Sequence, residues 1–356
     1  MDKHVYIPNY DYDTVPETGE TLAVAPGVHW LRMPLPFQLD HINLWLLEDN
    51  DADGAGWTII DTGIATDEVK AAWETIFQKH FTPEKPLKRV IVTHFHPDHL
   101  GLAGWLTERF DVPLWMPREE WCWGRMLCLD TGEGAGGTLK DAFRKFYHAA
   151  GFDADMLKSA VDRAGRFSRA VSVVPPSFRS IGDGERFQIG GREWQVIIGN
   201  GHSPEHACLY CPNLDVLISG DQVLPKISPN ISVWPQEPEA DPLALFLASL
   251  EKFRGLGTGG ADDTLVLPSH NYPFRGLEGR LDYLGAHHVE RLEETLAICA
   301  QPVNGVDALR ALFKRELDTH QLFFATGEAL AHLHYLMGQG KIRRWCNPDG
   351  VYLFQR

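Results

Sequence analysis

Hydrophobic and polar positions along this chain alternate in two regimes, one with the period of strands and one with the period of helices. LAVAPGVHWLRM, HINLWLLED and GWTIIDTG are strand-length apolar runs, the last two separated by the Gly-containing DNDADGAG, and they predict a β-meander over the first sixty residues. Residues 67–80, DEVKAAWETIFQKH, then place apolar side chains at 69, 72, 73, 76 and 77, one face of a helix. The strand RVIVTH, a His/Asp-rich loop, a single helix over LGLAGWLTERF and the short strand PLWM follow. From about 118 to 180 the pattern turns helical and aromatic, broken by TGEGAGG at 131–137, which predicts an insertion serving as a lid. Strands resume at GERFQIG, REWQVIIG, HACLYC and DVLISG, ahead of a helix at PLALFLASLEKF and a strand at TLVLPSH. The tail reads as three helices (VERLEETLAICA, VDALRALFKREL and LFFATGEALAHLHYLMGQG) and a hairpin around a Pro-Asp-Gly turn, the order of a winged helix. A division into residues 1–285 and a small C-terminal domain, 286–356, is therefore expected.

Composition narrows the class. With 44% hydrophobic and 23% charged residues, the 356-residue chain is ordinary globular material. It contains no apolar run near the roughly 20 residues that cross a bilayer. Its polar start, MDKHVYIPNYDYDTVPETGE, has neither a secretory nor a transit pattern, so the expected location is the cytoplasm. The six cysteines (Cys122, Cys128, Cys208, Cys211, Cys299 and Cys346) are scattered and read as reduced thiols. Cys208 and Cys211 lie three apart in a strand, so they point to opposite faces and form no thiolate pair. A net charge of −15 opposes non-specific attraction to nucleic acid, which argues against DNA as a partner. One local exception is a basic stripe at Arg163, Arg166 and Arg169, spaced as on one helix.

The chemistry concentrates in Thr93-His94-Phe95-His96-Pro97-Asp98-His99, directly after a strand. In extended chain His94 and His96 face the same way and can reach one metal, while Asp98 and His99, at the turn into a helix, can aim at a neighbouring site. Imidazole and carboxylate without thiolate suit a catalytic rather than a structural centre, with zinc, iron, manganese or cobalt as candidate ions.

This HxHxDH element resembles the hallmark of the metallo-β-lactamase superfamily. The resemblance continues in order through Gly201-His202-Ser203-Pro204, Ser219-Gly220-Asp221 and Pro268-Ser269-His270, with Ile60-Asp61-Thr62-Gly63 upstream, and covers about residues 20 to 275. It implies an α+β fold, a four-layer αββα sandwich. It also implies a ligand set in which His94, His96 and His202 hold one metal, Asp98, His99 and His270 hold the other, and Asp221 bridges. Two Zn2+ ions are the expected cofactor, with Fe or Mn as alternatives. Asp61 either orients a ligand loop or caps a turn. Where the family commonly has Gly-His-Gly, this chain has Ser269-His270-Asn271-Tyr272, which puts the substrate side of that loop in doubt.

Such a centre supports hydrolysis by a metal-bridging hydroxide, with Asp98 and Asp221 orienting it or relaying its proton. The leading expectation is a hydrolase of a small ester, thioester or lactone. The alternative is an endoribonuclease acting on single-stranded RNA, because a lactamase-like domain followed by a winged helix resembles a group containing such enzymes. Against it, the expected recognition helix carries no Lys or Arg, so the tail reads rather as a packing or dimerisation module, and a homodimer is a further expectation. His206 and Tyr272, close in sequence to ligand motifs, are candidate proton donors. His41 could line the cleft, and Trp121 could form an apolar wall.

Overall fold

Strands buried on both faces explain the layering. The computed structural model describes residues 6–52, 54–130, 138–163, 165–257, 262–314 and 316–356. In chain order the elements are β1 (Asn9–Tyr10), β2 (Leu22–Ala25), β3 (Val28–Pro34), β4 (His41–Glu48), β5 (Trp57–Ile60), α1 (Asp67–His80), β6 (Leu87–Ile91), α2 (Pro97–Leu100), α3 (Ala103–Phe110) and β7 (Leu114–Met116). Then come α4 (Arg118–Leu129), α5 (Thr138–Ala149), α6 (Ala154–Arg163), α7 (Phe167–Ala170), β8 (Arg179–Ser180), β9 (Arg186–Ile189), β10 (Arg192–Gly199), β11 (His206–Cys211) and β12 (Val216–Gly220). The chain closes with α8 (Pro242–Leu250), β13 (Leu265–Pro268), β14 (Phe274–Arg275), α9 (Leu277–Ile298), α10 (Gly305–Leu312), α11 (Thr319–Gly338), β15 (Arg343–Cys346) and β16 (Tyr352–Gln355).

Two seven-stranded mixed sheets result, in the orders β2-β3-β4-β5-β6-β7-β8 and β1-β14-β13-β12-β11-β10-β9. Along β4, Trp45 and Leu47 point into the core between the sheets, while Ile42, Leu44 and Leu46 point outward to pack under α1. Cys211 of β11 joins the core between the sheets and Cys208 the core beneath the second sheet's helices, so the two thiols do face opposite ways. Three apolar cores between four layers make the αββα sandwich. The C-terminal helices share one of them, because Leu309, Leu330 and Leu333 pack in the same cluster as Leu217, Phe246 and Val266. The expected boundary at 285/286 falls inside α9, which runs from Leu277 without a break.

Several expectations need correction. LGLAGWLTERF is not one helix: α2 and α3 are separated at Gly101-Leu102, where the chain meets the turn after β5. Leu102 N–H donates to Gly63 O (3.1 Å) and to Thr62 Oγ1 (3.0 Å), and a Cβ on Gly101 would collide with the Gly63 carbonyl. The arginine stripe is not on one helix either. Arg163 ends α6 with its guanidinium over the Phe323 ring at 4.5 Å, whereas Arg169 belongs to α7. The glycine-rich 131–137 stretch lies outside the described residues. Strands β1, β8 and β14, two residues each, were not foreseeable from so short an apolar pattern.

Candidate metal centre

All seven expected ligand residues sit at one edge of the sandwich, in the loops just beyond β6, β10, β12 and β13 and, for Asp98 and His99, in the short helix α2. Left-handed backbone marks the turns next to them: Asp61 (φ 61°), Gly201 (φ 97°), Gly220 (φ 53°) and Asn271 (φ 69°). Asn tolerates that region better than other side chains bar glycine, which is why Asn271 can stand where the family commonly has glycine.

The ligand atoms form two groups, His94, His96, His202 and Asp221, and Asp98, His99 and His270, each within 4.8 Å of one another. In the first, His94 Nε2 lies 2.9 Å from His96 Nδ1 and 3.3 Å from His202 Nε2, which is 3.4 Å from Asp221 Oδ2. In the second, His99 Nε2 and His270 Nε2 lie 3.7 and 3.6 Å from Asp98 Oδ2, and 3.6 and 3.5 Å from Asp221 Oδ1. Ligands about 2.1 Å from a tetrahedral ion are about 3.4 Å apart, so both groups have the spacing of a coordination sphere. The two Asp221 oxygens face different groups, the geometry of a bridge. His99 Nε2 and Asp221 Oδ1 are buried and lack any hydrogen-bond partner among the described residues. Such orphaned polar atoms are costly unless a cation satisfies them. These residues therefore fit a pair of divalent ions.

Charge sorts the imidazoles. Burial and the neighbouring imidazoles push His94 well below its ordinary pKa. Burial, with His202 beside it, does the same to His96. Burial opposes the charged form of His99 as well, yet the carboxylates of Asp61, Asp98 and Asp221 hold it well above. In Asp221 burial works against ionisation, but His270 and His99 hold the carboxyl well below the usual range. His94 and His96 of the first group are thus held as neutral nitrogen donors, whereas carboxylates surround His99 in the second.

Partners behind the ligands fix their tautomers. Asp61 accepts the Thr93 N–H (2.8 Å) on Oδ1, and the Thr93 hydroxyl (2.8 Å) and His99 Nδ1–H (2.8 Å) on Oδ2, leaving His99 Nε2 to face the site. His202 Nδ1 donates to Asn230 O (2.9 Å), and His270 Nδ1 to His41 O (2.9 Å). His41 itself accepts the Asn271 N–H on Nε2 (2.9 Å), and Asn43 Nδ2 donates to the Pro268 and Asn271 carbonyls (both 2.9 Å). His41 accordingly braces the last loop instead of lining the cleft.

The remaining candidates fall elsewhere. His206 is fully buried, and its Nε2 accepts the Asp221 N–H (3.0 Å), so that nitrogen has no proton to give a leaving group. Tyr272 packs against Trp30 (6.0 Å) and Tyr10 (5.5 Å), with Arg32 over its ring, at the core between the sheets. Trp121 stacks on Phe178 (4.5 Å) and donates to Pro175 O, packed against the core outside the first sheet. The wall beside the ligands is built instead by Trp123, Phe95, Trp234 and Leu245, around His202 and Ser203, and sequence reasoning missed Trp123 and Trp234 in that role.

The C-terminal region reaches this wall from behind. Val233 N–H donates to Gly327 O (3.1 Å) and Ser232 Oγ to Phe324 O (3.3 Å), which ties α11 to the loop whose Asn230 carbonyl holds His202.

Comparison with known proteins agrees with this geometry. The family model of the metallo-beta-lactamase superfamily matches residues 38–270, and that of the metallo-beta-lactamase-like C-terminal domain matches 292–356. A beta-lactamase domain protein from Burkholderia ambifaria is 45% identical, with a TM-score of 0.88 and 98% of each chain covered. Probable metallo-hydrolase YqjP of Bacillus subtilis (strain 168) is 24% identical over 90% of this chain and 96% of its own length. A linear primary-alkylsulfatase of Pseudomonas is 25% identical over 63% of this chain but only 41% of its own. The chain belongs to the metallo-beta-lactamase superfamily.

Proposed function

We propose that the protein is a dinuclear metal-dependent hydrolase of small esters, thioesters or lactones with an apolar acyl or alkyl part. His94, His96 and His202 would hold one ion, Asp98, His99 and His270 the other, and Asp221 would bridge them. The ions would supply a water nucleophile of lowered pKa and a Lewis acid for the scissile oxygen. Asp98, the most exposed of these carboxylates at 20%, is the group able to pass a proton from the centre to solvent. Asp221 is held ionised and keeps its two oxygens aimed at the two groups.

The pocket carries the choice of substrate. Phe95, Trp123, Trp234 and Leu245 enclose the space beside His202, and no described residue lining it is Lys or Arg. Apolar walls with few polar groups suit an acyl or alkyl chain. A polyanion such as RNA binds through several cations, so the same lining argues against the endoribonuclease reading. The imidazole and carboxylate donor set suits zinc, with iron or manganese as alternatives, and the relatives' names favour hydrolysis in general.

The test is turnover of acyl esters and acyl thioesters of rising chain length, with a lactone, an alkyl sulfate and unstructured RNA as companions, by wild type and Trp123→Ala. Each methylene buried in the pocket contributes about 0.8 kcal/mol, a factor of about four in kcat/KM. Wild type should climb with chain length until the pocket is full, and Trp123→Ala should flatten the climb. Cleavage of RNA with no turnover of the small substrates would overturn the proposal.

A further inference from the structure

Glu120 belongs to the first turn of α4, where an acidic residue usually sits exposed and favours the helix dipole. Here its side chain is completely buried. Its Oε2 accepts the backbone N–H of Phe95 (2.9 Å), the residue between His94 and His96. Its Oε1 accepts the backbone N–H of Glu205 (2.6 Å), three residues beyond His202. Glu205 returns the contact: its Oε2 accepts the N–H of Glu119 (2.9 Å), one of the unpaired amides at the start of α4. One carboxylate thus spans the two loops that bring all three histidines of the first group together, and it does so from the helix that carries the pocket wall Trp123.

We infer that Glu120 is a positioning residue that clamps the His94–His96 loop to the His202 loop and registers both against the pocket wall, holding the first metal group assembled. The inference rests on the metal-centre reading above and adds a member of the insertion to it. A buried carboxylate has no reason to sit in an apolar core except to satisfy donors that would otherwise be orphaned, and both of its oxygens are used in that way. Both donors are backbone amides of ligand loops, so their position translates directly into the separation of His96 from His202. The chemistry explains why the residue must be Glu. A Gln offers one acceptor and turns an N–H toward the second amide, donor against donor, and an Asp is one methylene too short to span the loops.

The experiment is a competition titration of metal-free protein with Zn2+ against a chromophoric chelator, for wild type, Glu120→Gln and Glu120→Asp. Co2+ absorption spectra would report ligand geometry, and thermal unfolding of the metal-free proteins would run beside them. Glu120→Gln, nearly the same in size, should keep the fold yet bind the ion of the first group about 10- to 100-fold more weakly, with an altered Co2+ spectrum. Ester turnover, where detectable, should fall in kcat at high metal. A merely structural residue would lower the unfolding temperature and leave metal affinity and spectrum as in wild type, and that result would overturn the inference. Failure of wild type to bind any divalent ion would instead sink the metal-centre reading. If Glu120→Gln does not fold, Glu205→Gln, whose backbone amide still reaches Glu120, provides the folded reference. Glu120→Asp then decides the matter, wild-type affinity in it counting against the clamp.

Discussion

Replacing Asp61 by Asn removes a single charge behind the second metal group, and the structure dictates which ion should suffer. The Asp61 carboxylate accepts three hydrogen bonds, from the Thr93 N–H, the Thr93 hydroxyl and His99 Nδ1–H. Asn has one acceptor oxygen. With that oxygen kept on the Thr93 amide, the Asn amide group points at His99 Nδ1, which must then accept, so the imidazole proton moves to Nε2. That nitrogen is the one aimed at Asp98 Oδ2 and Asp221 Oδ1, and once protonated it cannot be a ligand. The loss of a charge-assisted hydrogen bond is worth about 1.5–3 kcal/mol, or about 10- to 150-fold in affinity. The first group, which Asp61 reaches only through the Thr93 hydroxyl beside His94 Nδ1 (3.0 Å), should keep its ion. Asp61→Asn should therefore hold one ion tightly and release the second in a zinc competition titration that resolves two steps for wild type. Two unchanged steps would refute the reasoning, and loss of both ions together would show that Asp61 supports the whole loop and not one tautomer.

Two further outcomes are expected. Gly327 in α11 lets the loop at Ser232 approach so closely that an added Cβ would stand 2.6 Å from Ser232 Cβ, so Gly327→Ala should displace that loop, loosen the Asn230 carbonyl that orients His202, and raise KM for long-chain esters. Wild-type KM and metal affinity in that variant would contradict a role for α11 at the site. In the C-terminal core, burial lowers His332 to a pKa of about 4, beside His288, His287 and Arg291, while its Nδ1 donates to Glu328 O (2.8 Å). The unfolded chain takes up this proton below about pH 6.5 and the folded chain refuses it until about pH 4, so stability is fully present above 6.5 and lost as pH falls. His332 alone should cost about 2 kcal/mol between roughly pH 8 and pH 5, and urea unfolding of His332→Gln should show a shallower acid loss than wild type.

What could be read from the sequence divides along physical lines. The helix at 67–80 and the longer strands of both sheets were legible because each has one period and a long enough run, and the structure places α1 at Asp67–His80. Of the seven expected ligand residues, His94, His96, Asp98 and His99 were legible from their short spacing and His202, Asp221 and His270 through the family resemblance, and the structure brings all seven together. Residues that matter through their direction were not. Trp121 and Trp123 are two apart in a helix, about 200° around its axis, so only the docking of α4 decides that Trp123 faces the His202 pocket and Trp121 stacks on Phe178. His206 follows a ligand motif by four residues, but its strand turns the ring to the backbone of Asp221. Glu120 reads as a solvated first-turn residue until β-loops from elsewhere close over it. The bracing of His270 by His41 and Asn43 joins positions more than 220 apart in the chain, a pairing no local pattern records. The split at Gly101 has the same origin, since it is the distant Gly63 turn that forbids a continuous helix there.

The central claim is that these loops hold two divalent ions that drive hydrolysis. Elemental analysis of protein purified without added metal, then stripped and reloaded, with ester turnover followed throughout, tests it most directly. Up to two ions per chain are expected, activity should rise with loading, and His96→Ala should lose the ion of the first group with a large fall in kcat. A folded chain that takes up no divalent ion, or ester hydrolysis that survives complete stripping, would contradict it.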